Sequence, residues 1–205
     1  MVDFKADERL NTLNHSCAHV MAQAVKHLYP NAKFWVGPVI QDGFYYDMDL
    51  GDVSLNDADL EKIAKEMKKI AKDGKRIVRK EVSKAEAQEM FKDDPYKEDL
   101  IQDLEDGTIT VYSQGEFSYL CRGPLVFSFK ECKNFKMLKH SGAYWKGDAK
   151  NKQLQRVYGI CFPTKEELEA HLEALEEAKK RDHKKLGKEM GLFMVSEYAP
   201  GMPIF

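Results

Sequence analysis

LNHSCAHVMAQAVKHLYPNAKFWVGPVIQDGFYYDMDL, residues 13–50, holds the two patterns that decide the fold. In its first half apolar residues fall at Leu13, Cys17, Val20, Met21, Ala24 and Leu28, spacings that place them on one face of a helix. Pro30 ends that helix, because proline has no amide hydrogen to continue the ladder. The second half changes period. Residues 34–50 are β-branched and aromatic, are broken by Asp42-Gly43, and read as a hairpin. A helix that runs straight into antiparallel strands predicts an α+β fold, with an antiparallel sheet packed against helices.

Outward from this stretch the punctuation is regular. A second helix is predicted over 57–71, with Leu60, Ile63, Ala64, Met67 and Ile70 on one face and Gly74 placed to end it. A strand is predicted at 76–82. Ser83-Lys-Ala-Glu86 then spells a capping box that opens a short helix to Phe91. A loop is expected at Asp93-Asp94-Pro95, and strands at 108–112 and 116–121, parted by Gln114-Gly115. Pro163, Thr164 and Glu167 begin a last helix that reaches about residue 190; its charged faces suit a long solvent-exposed linker. Residues 1–8 read as a polar arm, and the apolar tail 191–205 as the start of another domain.

The 205 residues are 43% hydrophobic, 11% aromatic and 32% charged, enough for a core. No run approaches the ~18 apolar residues a membrane helix needs, so no membrane association is expected. A net charge of −2 means that nucleic-acid binding must come from a local patch. The first twenty residues show no basic-then-apolar leader, and Cys17, Cys121, Cys132 and Cys161 form no CxxC pair. A cytoplasmic, thiol-reduced chain is expected.

His15 and His19 project from one helix face, where two imidazoles can hold a metal or a water. No glutamate lies between them as a zinc-protease motif requires. Cys121 opens Cys-Arg-Gly-Pro after a predicted strand, either a functional thiol or a small buried hydrophobe. As a third ligand it has no fourth at a helpful spacing, so no metal is expected. Residues 130–156 carry eight basic and two acidic side chains, interleaved with aromatics. That is either a solvated face or a phosphate-contacting one, with Lys136, Lys139, Lys146 and Arg156 as the candidate contacts.

Taken together, residues 13–30, 38–50, 94–101 (DPYKEDLI), 112–124 (YSQGEFSYLCRGP) and 141–162 (SGAYWKGDAKNKQLQRVYGICF) resemble, in this order, the editing (second additional) domain of bacterial-type threonyl-tRNA synthetase. Residues 179–205 are similar to that family's linker helix and the first residues of its aminoacylation domain. The resemblance implies an editing domain at 9–163, a linker helix at 164–190 and a truncated aminoacylation domain from 191. It also implies hydrolysis of mischarged seryl-tRNA(Thr), with the 3′ acceptor end of threonine tRNA and the aminoacylation domain as partners. No cofactor is expected in this segment, ATP and zinc belonging to the missing domain.

The resemblance makes His15, His19, Cys121 and Lys97 the catalytic set, with Tyr46 and Tyr112 lining the pocket. Two positions depart from the family pattern Asp-x-Cys-Arg-Gly-Pro-His: Tyr119 replaces the acidic residue and Leu125 the histidine. A carboxylate and an imidazole, the groups suited to activating water at neutral pH, are both absent there. The departures imply impaired hydrolysis or, alternatively, a degenerate domain kept as a tRNA-docking and structural module.

Overall fold

A computed structural model describes residues 2–105, 107 and 109–180, together with the short strand pair Met194–Val195 and Pro203–Ile204. The chain divides into two compact units, 1–164 and 165–205. The first begins with helix α1 (Glu8–Leu28), capped by the Asp7 side chain, which accepts from the Leu10 amide. It continues through β1 (Lys33–Phe34), β2 (Val39–Ile40), β3 (Gly43–Asp49), α2 (Asp57–Asp73), β4 (Val78–Val82), α3 (Lys84–Met90) and α4 (Pro95–Gln102). It closes with β5 (Ile109–Gln114), β6 (Phe117–Leu120), a 3-10 turn at Phe129–Lys133, β7 (Asn134–Tyr144) and β8 (Gln153–Phe162).

The described strands of this unit form two antiparallel sheets where the sequence suggested one. The larger has the order β1-β3-β8-β7, with β2 also on β3, and the smaller is β4-β5-β6. α1 lies on the larger sheet and packs against α2. Its placement is fixed by polar bonds: the Asn14 side chain donates to the Cys161 carbonyl and accepts from its amide, both at 2.9 Å. Val126 N–H donates to Ser16 Oγ at 2.9 Å, which fastens the loop after Cys121 to the same helix. The central strand of the small sheet, β5, is buried on both faces. Tyr112 and Tyr119 join the main core, while Val111 joins a second cluster with Val82, Ala87, Ile101 and Ile109.

Several expectations are corrected. α1 begins at Glu8, five residues before the predicted start, because Asp7 caps it. The supposed arm at 1–8 contributes Phe4 to the interior, fully buried with its ring 5.1 Å from Phe162. The expected loop at Asp93-Asp94-Pro95 starts α4: Asp94 accepts from the Tyr96 and Lys97 amides, and Pro95 occupies the first turn, where it gives up no hydrogen bond. The basic stretch contains β7 and the start of β8, the two longest strands among the described residues, and the alternation of β7 is masked by lysines on its exposed positions. Cys17, Cys132 and Cys161, far apart in sequence, meet as three buried thiols.

The second unit begins with α5 (Lys165–Lys180), mostly exposed. The predicted continuation to residue 190 lies outside the described residues. Of the tail, only an antiparallel pair, β9 (Met194–Val195) and β10 (Pro203–Ile204), is described.

Candidate active site

The site forms where α1, α4 and the end of β6 converge. His15 and His19 stand one turn apart on α1, ring centroids 5.0 Å apart. Cys121, 106 residues further on, brings its Sγ to 3.2 Å from His15 Nε2. The Gly123 amide donates to the same sulfur at 3.1 Å. Gly123 has φ +71°, and a Cβ there would meet the Tyr112 hydroxyl, so only glycine lets the loop turn back beneath the thiol.

Burial sets the protonation of the cluster. Desolvation lowers the pKa of His15, partly offset by a hydrogen bond to the Pro124 backbone. It lowers His19 further, helped by the neighbouring His15 and Lys97. Burial pushes the Cys121 thiol up to about 11, so it is neutral at pH 7, hydrogen-bonded with His15 Nε2. His15 is therefore held on two sides. His19 is not: it is 4% exposed, and neither ring nitrogen has a hydrogen-bond partner.

Lys97 reaches in from α4, donating from Nζ to the Trp35 carbonyl at 2.8 Å, with the Tyr46 ring 5.9 Å away. Burial lowers its pKa to about 8. Tyr46 is buried with its phenol pushed up, and its ring is 6.3 Å from His19. Tyr119 packs closer, at 4.5 Å, and its hydroxyl donates to Gln23 Oε1 at 2.8 Å. Tyr112 pairs directly across the strands from Tyr119. Leu125 is half-buried against the main core. Beside the cluster opens a cleft of about 720 Å³, whose wall includes Lys26, Phe34, Tyr46, Asp94, Lys97, Phe117 and Tyr119.

The His15, His19 and Cys121 donor atoms lie within 4.8 Å of one another. Two imidazoles and a thiol suit zinc with an open fourth position, so these three could hold such an ion. The basic candidates are dispersed. Arg156 makes a bidentate pair with the buried Asp47 at 2.6 and 2.7 Å, and Lys146 pairs with Asp99 at 2.8 Å. Lys139 sits over the Tyr158 ring, and Lys136 is exposed on β7. The sequence reading missed Gln23, although it lies one further turn along the His15–His19 face, and Asp94, whose place before a proline is a helix-start signal.

Residues 109–158, from β5 through the Cys121 loop into β8, match the family model described as the threonyl and alanyl tRNA synthetase second additional domain. Curated relatives align along the whole chain. Threonine–tRNA ligase 2 of Bacillus subtilis is 55% identical over 208 residues, covering 100% of this chain and 32% of its own. That of Staphylococcus carnosus is 54% identical over 202 residues, covering 98% and 31%. The chain belongs to the threonyl-tRNA synthetase editing-domain family. It spans about a third of the length of the curated relatives it matches. The family model covers Tyr119, Cys121 and Leu125, but neither the histidine-bearing helix nor Lys97, which reach this second additional domain from earlier in the chain. Among the described residues no helix is long and apolar enough to cross a membrane.

Proposed function

We propose that this second additional domain hydrolyses the ester of seryl-tRNA(Thr), acting in the cytoplasm as the editing module of a threonine–tRNA ligase. The observation that carries the reading is His19, a buried neutral imidazole with both nitrogens unpartnered, beside His15, Cys121 and Lys97. An imidazole of this kind accepts a proton from a water that attacks the ester carbonyl. One helical turn away, His15, held by Cys121 and the Pro124 backbone, forms a fixed wall beside that water. The Lys97 ammonium stabilises the negative charge that develops on the carbonyl oxygen. The neighbouring cleft is sized for the terminal nucleoside of an acceptor end. Serine and threonine differ by one methyl group, worth only ~1–3 kcal/mol in one binding step, which is why a separate hydrolytic site is useful.

The test is deacylation of seryl-tRNA(Thr) by the chain and by its His19→Ala variant. Deacylation that falls by ~10²-fold or more in the variant supports the reading. Tyr119 packed on His19 favours a second reading, a domain that docks tRNA without hydrolysing its ester. Retained tRNA binding with no deacylation would select it. In either case Lys136 and Lys139 are proposed as phosphate contacts. Replacing both with Gln should weaken tRNA binding and flatten its salt dependence by about two contacts' worth. Unchanged affinity would make β7 a merely solvated face.

A further inference from the structure

The cleft borders the histidines, and aromatic rings stand along that boundary. Tyr119 belongs to both spaces: it lines the cleft, and its ring packs on His19 with centroids 4.5 Å apart. His15, His19 and Cys121 do not line the cleft. Lys97 and Tyr46 also belong to both spaces, the Tyr46 ring farther from His19 at 6.3 Å. The nearest aromatic lid on the unpartnered imidazole is therefore Tyr119.

This ring is held from several sides. Its hydroxyl donates to Gln23 Oε1 at 2.8 Å, and Gln23 is itself buried and rises from α1 one turn beyond His19. Phe117 flanks it at 4.8 Å and Phe129 at 6.1 Å, while Tyr112 is its partner across the strands. A side chain fixed by a hydrogen bond at its tip and aromatic contacts along its body does not swing freely.

We propose that Tyr119, latched by Gln23, is a specificity-determining partition that limits how large an acyl group can pass from the cleft to His19. The inference rests on the hydrolase reading above for its substrate, and on geometry alone for the partition. A rigid phenol at this point leaves room for water and a small acyl side chain, and an extra methyl group meets the ring edge. Gln23 sets the limit indirectly, by holding the ring in place.

The partition is tested apart from the chemistry by the reactivity of His19 toward diethyl pyrocarbonate. Carbethoxylation is followed by mass spectrometry, with the surface residue His27 as internal reference. Tyr119→Ala should raise the His19 rate by about tenfold or more, as expected when a local barrier to solvent is removed. Tyr119→Phe and Gln23→Met keep the volume and lose the latch, and should give intermediate rates. Equal His19 rates in the parent and all three variants would overturn the partition. The same proteins are then assayed on seryl- and threonyl-tRNA(Thr). The serine-over-threonine ratio should fall by about tenfold in Tyr119→Ala, the scale of one methyl group. A faster-reacting His19 with neither ester cleaved by any variant would uphold the partition and sink the hydrolase reading. Cleavage with an unchanged ratio would overturn the specificity role.

Discussion

The two halves of the first unit are held by unequal interiors. The five-stranded half seals α1 and α2 onto its sheet with large, fully buried side chains, among them Met21, Phe44, Met48, Ile63 and Met67. The outer face of the three-stranded half has a cluster of five, Val82, Ala87, Ile101, Ile109 and Val111, and four of the five residues of β4 are exposed. Less buried apolar area means a lower free energy for local opening. The candidate site draws from both. His15, His19 and Gln23 stand on the well-packed helix, whereas Tyr119 and Cys121 come from the lighter sheet and its following loop. A site assembled this way draws its two walls from interiors of unequal size.

The sharpest way to break the comparison is to unpair the larger sheet. Asp47 on β3 is fully buried, and Arg156 on β8 is its bidentate partner. Arg156→Met would leave that carboxylate buried and uncompensated, which should cost about 3–5 kcal/mol in urea unfolding. A loss under ~1 kcal/mol would show that the pair is not structural, and would return Arg156 to the candidate tRNA contacts.

Lys97, at the seam, comes next. Its unfolded pKa is the ordinary 10.5, and burial lowers the folded value to about 8. Between those values the unfolded chain binds more protons, so stability should rise with pH from about 8 to 10.5. The gap corresponds to about 3 kcal/mol. Cys121 acts in the opposite sense: its thiol is raised from 9.0 to about 11, so its contribution is lost as pH climbs through that range. The measurement is therefore a difference, parent minus Lys97→Met, from pH 7 to 10.5. A flat difference would place Lys97 in water instead of in the interior.

The smallest expected effect sharpens the lighter half. Ser83 and Glu86 cap α3 reciprocally, the Ser83 side chain accepting from the Glu86 amide and the Glu86 carboxylate from the Ser83 amide. Ser83→Ala should cost about 1 kcal/mol. It should also speed amide hydrogen exchange in β4 and β5 more than in β3 and β8. Uniform acceleration would mean that the two halves open together.

What the sequence disclosed follows the range of the forces involved. α2 and α3 were legible because their caps and stripes are local, and so was the histidine pair, four residues apart on one helix. β7 and β8 were obscured, since lysines at 136 and 139 occupy the exposed positions of an alternating strand and read as a charge run. The meeting of Cys121 with His15 spans 106 residues, and no local pattern encodes it. The resemblance to a known family supplied that pairing in advance. It could not supply Gln23, whose role arises only because Tyr119 stands across from it.

α1 behaves as a ruler. Asn14, Ser16, His15, His19 and Gln23 all rise from one rod whose pitch is set by its backbone, with His15 and Gln23 about 12 Å apart along the axis. No substitution can lengthen one of those intervals without disturbing the rest, and the two hydrogen bonds between Asn14 and the Cys161 backbone remove the option of sliding the rod. Variation in what this site accepts is therefore easier to write on the facing strip, residues 119–126 apart from Gly123, whose side chains do not share one rod. The two departures from the family pattern, Tyr119 and Leu125, both fall on that strip.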